Sequence, residues 1–171
     1  MSLESRAKEF ASEAHFNQRR KYTGVLYITH PESVVNIVRT VEGHTEEMLV
    51  AAWLHDTVED CGIELGDISD IFGWNVMQLV SDLTDVSKKS DGNRATRKKI
   101  DLLHTSKASP QAKTIKIADL IDNTDSIFRF DPDFAKVYLP EKMALLEVLK
   151  DGDPGLWTRA YSQVNRYLSM I

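Results

Sequence analysis

Ala51-Ala-Trp-Leu-His-Asp-Thr-Val-Glu-Asp60 is the stretch whose reading decides the fold. An apolar run, Met48 to Leu54, stops abruptly at His55, Asp56, Glu59 and Asp60. Thr45 has the chemistry of an N-cap, and Glu46 and Glu47 suit the positive end of a helix dipole, so a helix is expected from there. It would be buried nearly all round and deliver one imidazole and three carboxylates at its C-terminal end. At helical spacing, His55 or Asp56 shares a face with Glu59. Negative groups are disfavoured at a helix C-terminus, and buried carboxylates need a partner or a proton. A cation beside them answers both demands. A His-Asp dipeptide by itself is common, so the rest of the chain must supply further ligands.

Upstream, Glu4 to Arg20 reads as a helix with Ala7, Phe10, Ala11 and Ala14 on its apolar face. Lys21 to Gly24 is a loop and Val25 to Ile28 a short extended piece. His30 precedes Pro31, which suits the first position of the next helix, so His30 sits at a loop-to-helix junction. Val34, Ile37, Val38 and Val41 carry that helix to Gly43. Downstream, Cys61-Gly62 breaks the chain. Leu65 to Phe72 and a segment through Val76, Leu79, Val80 and Leu83 are helical. Lys88 to Asn93 is a polar, mobile loop, and Arg94 to His104 a helix with its basic residues mostly outward. Ser109-Pro110 starts a largely apolar helix carrying Lys116, Asp119 and Asn123 in one stripe, with Asp122 and Asp125 expected to be exposed. Asp131-Pro132-Asp133 is a turn. Phe134 to Leu149 is helical, with Pro140 a kink or a fresh start, and Leu156 to Met170 is a last helix. The expected architecture is all-α, a single domain over residues 1–171 with about eight to ten helices.

Composition sets the outer bounds. A chain of 171 residues with 42% hydrophobic and 27% charged residues is an ordinary globular domain, large enough for its own core. No apolar stretch approaches the roughly 20 residues needed to span a bilayer, and no signal pattern opens the chain. The lone Cys61 fits a reducing cytoplasm. A net charge of −5 argues against nucleic acid as a partner. The cations are nevertheless bunched, as Arg19, Arg20 and Lys21 and as Lys88, Lys89, Arg94, Arg97, Lys98 and Lys99. Two local patches on an acidic protein suit a small polyanion better than a long one. Assembly into homo-oligomers is left open.

The candidate metal ligands are His30, His55, Asp56 and Asp119. Two imidazoles and two carboxylates suit a borderline-to-hard divalent ion such as manganese, iron or zinc, and no zinc-ribbon or His-Glu-x-x-His pattern accompanies them. With these residues in view the chain resembles the HD phosphohydrolases, whose signature is one His, an adjacent His-Asp pair and a distant Asp. More closely, it is similar to the hydrolase domains of RelA/SpoT-type enzymes and to the stand-alone small alarmone hydrolases, including the metazoan SpoT homologue. The matching motifs are His15-x-x-Gln18-x-Arg20-Lys21, Tyr27-Ile28-x-His30-Pro31 and His55-Asp56-Thr57-Val58-Glu59-Asp60. Phe72-Gly73 with Leu83-Thr84, and Lys116-Ile117-Ala118-Asp119 with Asn123, complete the series. They lie within residues 15–123, and helices over 133–170 would complete an HD-domain bundle.

The resemblance implies that His30, His55, Asp56 and Asp119 hold one Mn²⁺. Glu59 and Asp60 would position or deprotonate the attacking water. Arg20 and Lys21 would contact phosphates, Tyr27 the nucleotide and Asn123 the ribose side, with Arg97 and Lys98 further substrate contacts. Lys136, Tyr138 and Lys142 are weaker candidates to face the nucleotide. The implied reaction removes pyrophosphate from the 3′ position of guanosine tetra- or pentaphosphate. Two alternatives stand beside it: a related enzyme acting on an adenosine alarmone or NADPH, and a non-catalytic nucleotide-binding module. Leu26 replaces a usual proline, Leu120 a usual basic residue and Asp122 a usual histidine. These changes touch substrate contacts and supporting residues, not ligands.

Overall fold

Helix α3 (Glu46–Leu54) is the axis of the N-terminal half, and every residue from Met48 to Leu54 is buried. The Thr45 hydroxyl accepts the Met48 N–H at 3.3 Å, the cap expected from sequence. A helix apolar on every side must be enclosed, and α1 (Leu3–Ala14), α2 (Thr29–Val38) and α6 (Trp74–Leu83) pack around it. The short helices α4 (Thr57–Cys61) and α5 (Leu65–Phe72) complete this part. The computed structural model describes residues 2–171 and groups them into two units, 2–84 and 85–171.

The second unit holds a 3₁₀ turn (Lys89–Asp91) and α7 (Arg94–Ser106), α8 (Pro110–Phe130), α9 (Pro132–Val148) and α10 (Pro154–Leu168). Its last three helices share one start signal. Ser109, Asp131 and Asp153 each cap with a side-chain oxygen and are each followed by proline at the first helical position. Helices α8, α9 and α10 pack against one another, and α7 packs on α9. Among the described residues the protein is all-α, with a single antiparallel bridge between Arg19 and Leu26 and no strand. No helix among them is long and apolar enough to cross a membrane.

Several boundaries differ from the sequence reading. Helix α1 ends at Ala14 rather than Arg20, because the backbone beyond it is used otherwise. The Arg20 N–H donates to Val25 O (2.9 Å) and the Tyr27 N–H to Gln18 O (3.0 Å), folding residues 18–27 back on themselves around Gly24. Gly24 has φ +71°, a conformation costly for other residues. Helix α2 begins at Thr29, so Pro31 is its third residue; a missing N–H is harmless anywhere in the first turn. Lys88 to Asn93 is an anchored turn, with the Lys88 N–H on Asp91 (2.6 Å) and Asn93 capping α7. Helix α9 runs on through Pro140. Asp122 and Asp125 are half-buried, and Asp125 accepts from Tyr167 and Arg129.

Gly152, buried beneath α8, shows how closely the second unit is packed. A Cβ there would lie 2.8 Å from Ile117 Cδ1 and 3.1 Å from the Thr114 backbone nitrogen. Gly152→Ala should therefore destabilise by about 1–3 kcal/mol, read as a lower urea midpoint at unchanged slope.

Candidate functional site

The site begins where α3 stops. A helix leaves its last carbonyls without partners, and here the site residues take them. His55 Nδ1 lies 2.8 Å from Ala52 O, and the Thr57 hydroxyl donates to Leu54 O at 2.7 Å. A carbonyl only accepts, so His55 Nδ1 carries the hydrogen and Nε2 is left with its lone pair. The chain then steps at Asp56 and restarts as α4, so His55–Asp56 is a corner between two helices rather than part of one. That corner corrects the single-helix reading of this stretch.

His30, in the first turn of α2, meets the corner. Its Nε2 lies 3.3 Å from His55 Nε2 and 3.6 Å from Asp56 Oδ2, and His55 Nε2 lies 3.1 Å from the same oxygen. Both imidazoles are buried and Asp56 nearly so. Three ligand atoms thus form a triangle, and all lie within 4.8 Å of one another. Donors about 2.1 Å from one octahedral or tetrahedral ion are themselves separated by about 3.0–3.4 Å; two edges of the triangle, 3.1 and 3.3 Å, fall in that range, and the third, 3.6 Å, is slightly longer. Its chemistry agrees, because the inward-facing lone pair of His55 and a carboxylate invite a cation or a proton. Tyr27 supports the corner, its hydroxyl donating to Asp56 Oδ2 at 2.6 Å while its ring lies 4.7 Å from the His15 ring. Sequence reasoning gave Tyr27 to the nucleotide and missed this bond.

A second polar chain runs to the end of α4. His15, buried, has Nδ1 2.6 Å from Gln18 Oε1, and Gln18 Nε2 donates to Asp60 Oδ2 at 2.8 Å. Cys61 Sγ lies 3.2 Å from His15 Nδ1. Burial, with the charges of Asp60 and Asp56 behind it, pushes the Cys61 thiol up to about 11, so it stays protonated at neutral pH. Glu59 and Asp60 are exposed. In the same unit, Lys21 donates to the Tyr22 hydroxyl (3.3 Å) and lies over its ring.

The remaining candidates belong to the second unit. Asp119 on α8 lies 3.6 Å from Lys116 Nζ and accepts from the Asn123 amide at 2.6 Å, so the expected stripe exists and Asn123 holds Asp119. A cavity of about 260 Å³ is lined by Lys98, Lys116 and Lys142, by Asp85 and Asp101, and by apolar residues including Leu102 and Leu145. Lys98 turns toward it, donating to Asp85 at 2.9 Å, which corrects the outward placement of that residue. Burial lowers and raises opposing groups here. Although desolvation pushes the other way, Lys116, Lys98 and Lys142 together hold the Asp85 carboxyl below its usual range. Arg97 is half-buried with its Nε unpartnered. Lys136 is exposed and paired with Asp133.

Comparison with known proteins accords with this anatomy. A family model described as HD domain matches residues 7–128. Over 129 residues the chain is 36% identical to guanosine-3′,5′-bis(diphosphate) 3′-pyrophosphohydrolase MESH1 from Homo sapiens, covering 74% of this chain and 70% of that protein. It is 39% identical over 145 residues to a probable GTP pyrophosphokinase from Mycobacterium leprae, covering 84% of this chain but only 17% of that longer protein. A solved structure described as a metazoan ortholog of SpoT that hydrolyzes ppGpp superposes with a TM-score of 0.85 at 26% identity, covering 97% of this chain and 96% of that one. The chain belongs to the HD domain family.

Lys142 offers a test of the charge balance in the second unit. Burial first, then Lys116 and Lys98, pull its pKa from 10.5 down to about 8, against the opposing pull of Asp119 and Asp85. Between about 8 and 10.5 the unfolded chain therefore holds more protons than the folded one, and stability should rise with pH across that window. Lys142→Met should flatten the rise and stabilise the protein by about 1–2 kcal/mol at pH 7, measured by urea unfolding at pH 7 and pH 10.

Proposed function

We propose that this protein is a metal-dependent 3′-pyrophosphohydrolase of guanosine tetra- and pentaphosphate, yielding GDP or GTP and pyrophosphate. The observation that carries the reading is the triangle of His30 Nε2, His55 Nε2 and Asp56 Oδ2, seated on a chain 36% identical to a named hydrolase of that substrate. Asp119 is assigned as the fourth ligand, supported by the Lys116–Asp119–Asn123 stripe and by the order of the motifs. Mn²⁺ is the proposed ion, since two imidazoles with two carboxylates suit it. The two units are read as one HD domain, in support of which the family match runs through residue 84 without interruption. The cytoplasm, where a lone thiol is kept reduced, is the proposed compartment.

The ion would supply positive charge to the phosphoryl oxygens and acidify a water. In the proposed chemistry Glu59 and Asp60 orient that water and accept its proton. The oxygen attacks the phosphorus joined to O3′, the P–O3′ bond breaks, and O3′ leaves with the electron pair and takes up a proton. Tyr27 fixes the Asp56 carboxylate by its hydroxyl, and Asn123 fixes that of Asp119 by its amide. Arg20 and Lys21 are assigned to the substrate phosphates. Arg97, with an unpartnered Nε, and Lys98, on the wall of the cavity, are proposed as further phosphate contacts.

Incubation with guanosine tetraphosphate and Mn²⁺, followed by separation of products, tests the assignment. GDP and pyrophosphate should appear, EDTA should abolish the reaction and added Mn²⁺ restore it. Glu59→Gln should lower kcat by about 10²–10⁴-fold. Turnover of an adenosine alarmone or NADPH in its place would move the substrate, and unchanged activity in chelator would remove the mechanism.

A further inference from the structure

The His15-x-x-Gln18 pair is given no task by the proposed chemistry, yet it is built with care. His15 is only 2% exposed, and the spacing of three puts Gln18 on its side of the chain just beyond α1, where the Gln18 N–H donates to His15 O at 2.9 Å. Each proton in the chain that follows is dictated by the one before. An ionised carboxylate only accepts, so the donor end of the Gln18 amide, Nε2, must face Asp60 (2.8 Å). That turns Oε1 toward His15, and an amide oxygen only accepts, so His15 Nδ1 must carry the hydrogen across the 2.6 Å gap. Cys61, near the same nitrogen and held as a neutral thiol, does not compete with Gln18 as an anion. On the far side the His15 ring lies against Tyr27, whose hydroxyl holds Asp56.

We infer that His15 and Gln18 are positioning residues for the Asp60 carboxylate, a buried imidazole locking an amide that in turn aims the exposed acid. The inference rests on Asp60 handling the attacking water. By this arrangement an exposed acid on a five-residue helix is given one orientation: the amide holds one oxygen, Oδ2, and leaves Oδ1 for the water. A wandering carboxylate would lose rate through geometry while substrate and metal still bound normally.

Gln18→Met keeps length and removes the amide. It should lower kcat about tenfold, the worth of one hydrogen bond to a charged group, with KM within about twofold and one equivalent of bound Mn²⁺ retained. In an Asp60→Asn background the same substitution should add less than about twofold, because the two act in series. A role confined to stability would leave kcat untouched in the first background or cost the same in both, and either result overturns the inference. A readout independent of turnover separates this from failure of the hydrolase assignment. In ¹⁵N NMR of the imidazoles, His15 should be the Nδ1–H tautomer in the wild type and should lose that preference in both Gln18→Met and Asp60→Asn. A wild-type His15 in the Nε2–H form, or a tautomer indifferent to Asp60, sinks the relay whatever the substrate proves to be.

Discussion

Two imidazole nitrogens 3.3 Å apart, with a carboxylate oxygen 3.1 and 3.6 Å away, bring three potential metal donors together at one buried corner. The Ala52 carbonyl fixes the hydrogen of His55 on the opposite nitrogen, so the lone pair of His55 Nε2 faces inward. In a buried setting such groups are satisfied by a proton, by a donor such as the Tyr27 hydroxyl, or by a cation. Much of the first unit can be understood as the framework that holds these three groups together. Helix α3 is enclosed on every side, so its end cannot drift; the end carbonyls are capped by the site residues; and α2 enters with His30 in its first turn.

In each unit the supporting side chains act on carboxylates. Tyr27 holds Asp56, Gln18 holds Asp60, and in the second unit Asn123 holds Asp119. Each is a neutral donor, so it orients an acid without neutralising it. The lysines of the second unit do something different. Lys98 and Lys116 are paired with acids, whereas burial, with Lys116 and Lys98 as like charges nearby, makes the ammonium of Lys142 give up its proton more easily.

Much of this was legible in the sequence because it depends on local chemistry. Thr45, Ser109-Pro110 and Gly73 mark helix ends through their own backbones, and the unbroken run Met48 to Leu54 announces burial. The stripe Lys116, Asp119, Asn123 follows from helical period alone. What was not legible depends on contacts between distant segments. Periodicity carried α1 on to Arg20, because nothing in residues 15–20 reveals that Val25 and Tyr27 will claim their backbone groups. The bend at His55–Asp56 is invisible to a wheel that assumes one helix. Tyr27 and Gln18 could be named from motifs, but their partners lie 29 and 42 residues away. A histidine three residues before a glutamine was the only signal of the second chain.

The central claim is that His30, His55 and Asp56 are arranged for a divalent ion before any ion arrives. Anomalous diffraction at the manganese edge, from crystals of the full chain equilibrated with Mn²⁺, measures this directly. A single peak should lie about 2.0–2.3 Å from both Nε2 atoms and Asp56 Oδ2, with the three side chains close to the positions described above. Absence of a peak between them, or an ion bound elsewhere with His30 and His55 still in van der Waals contact, would contradict the account.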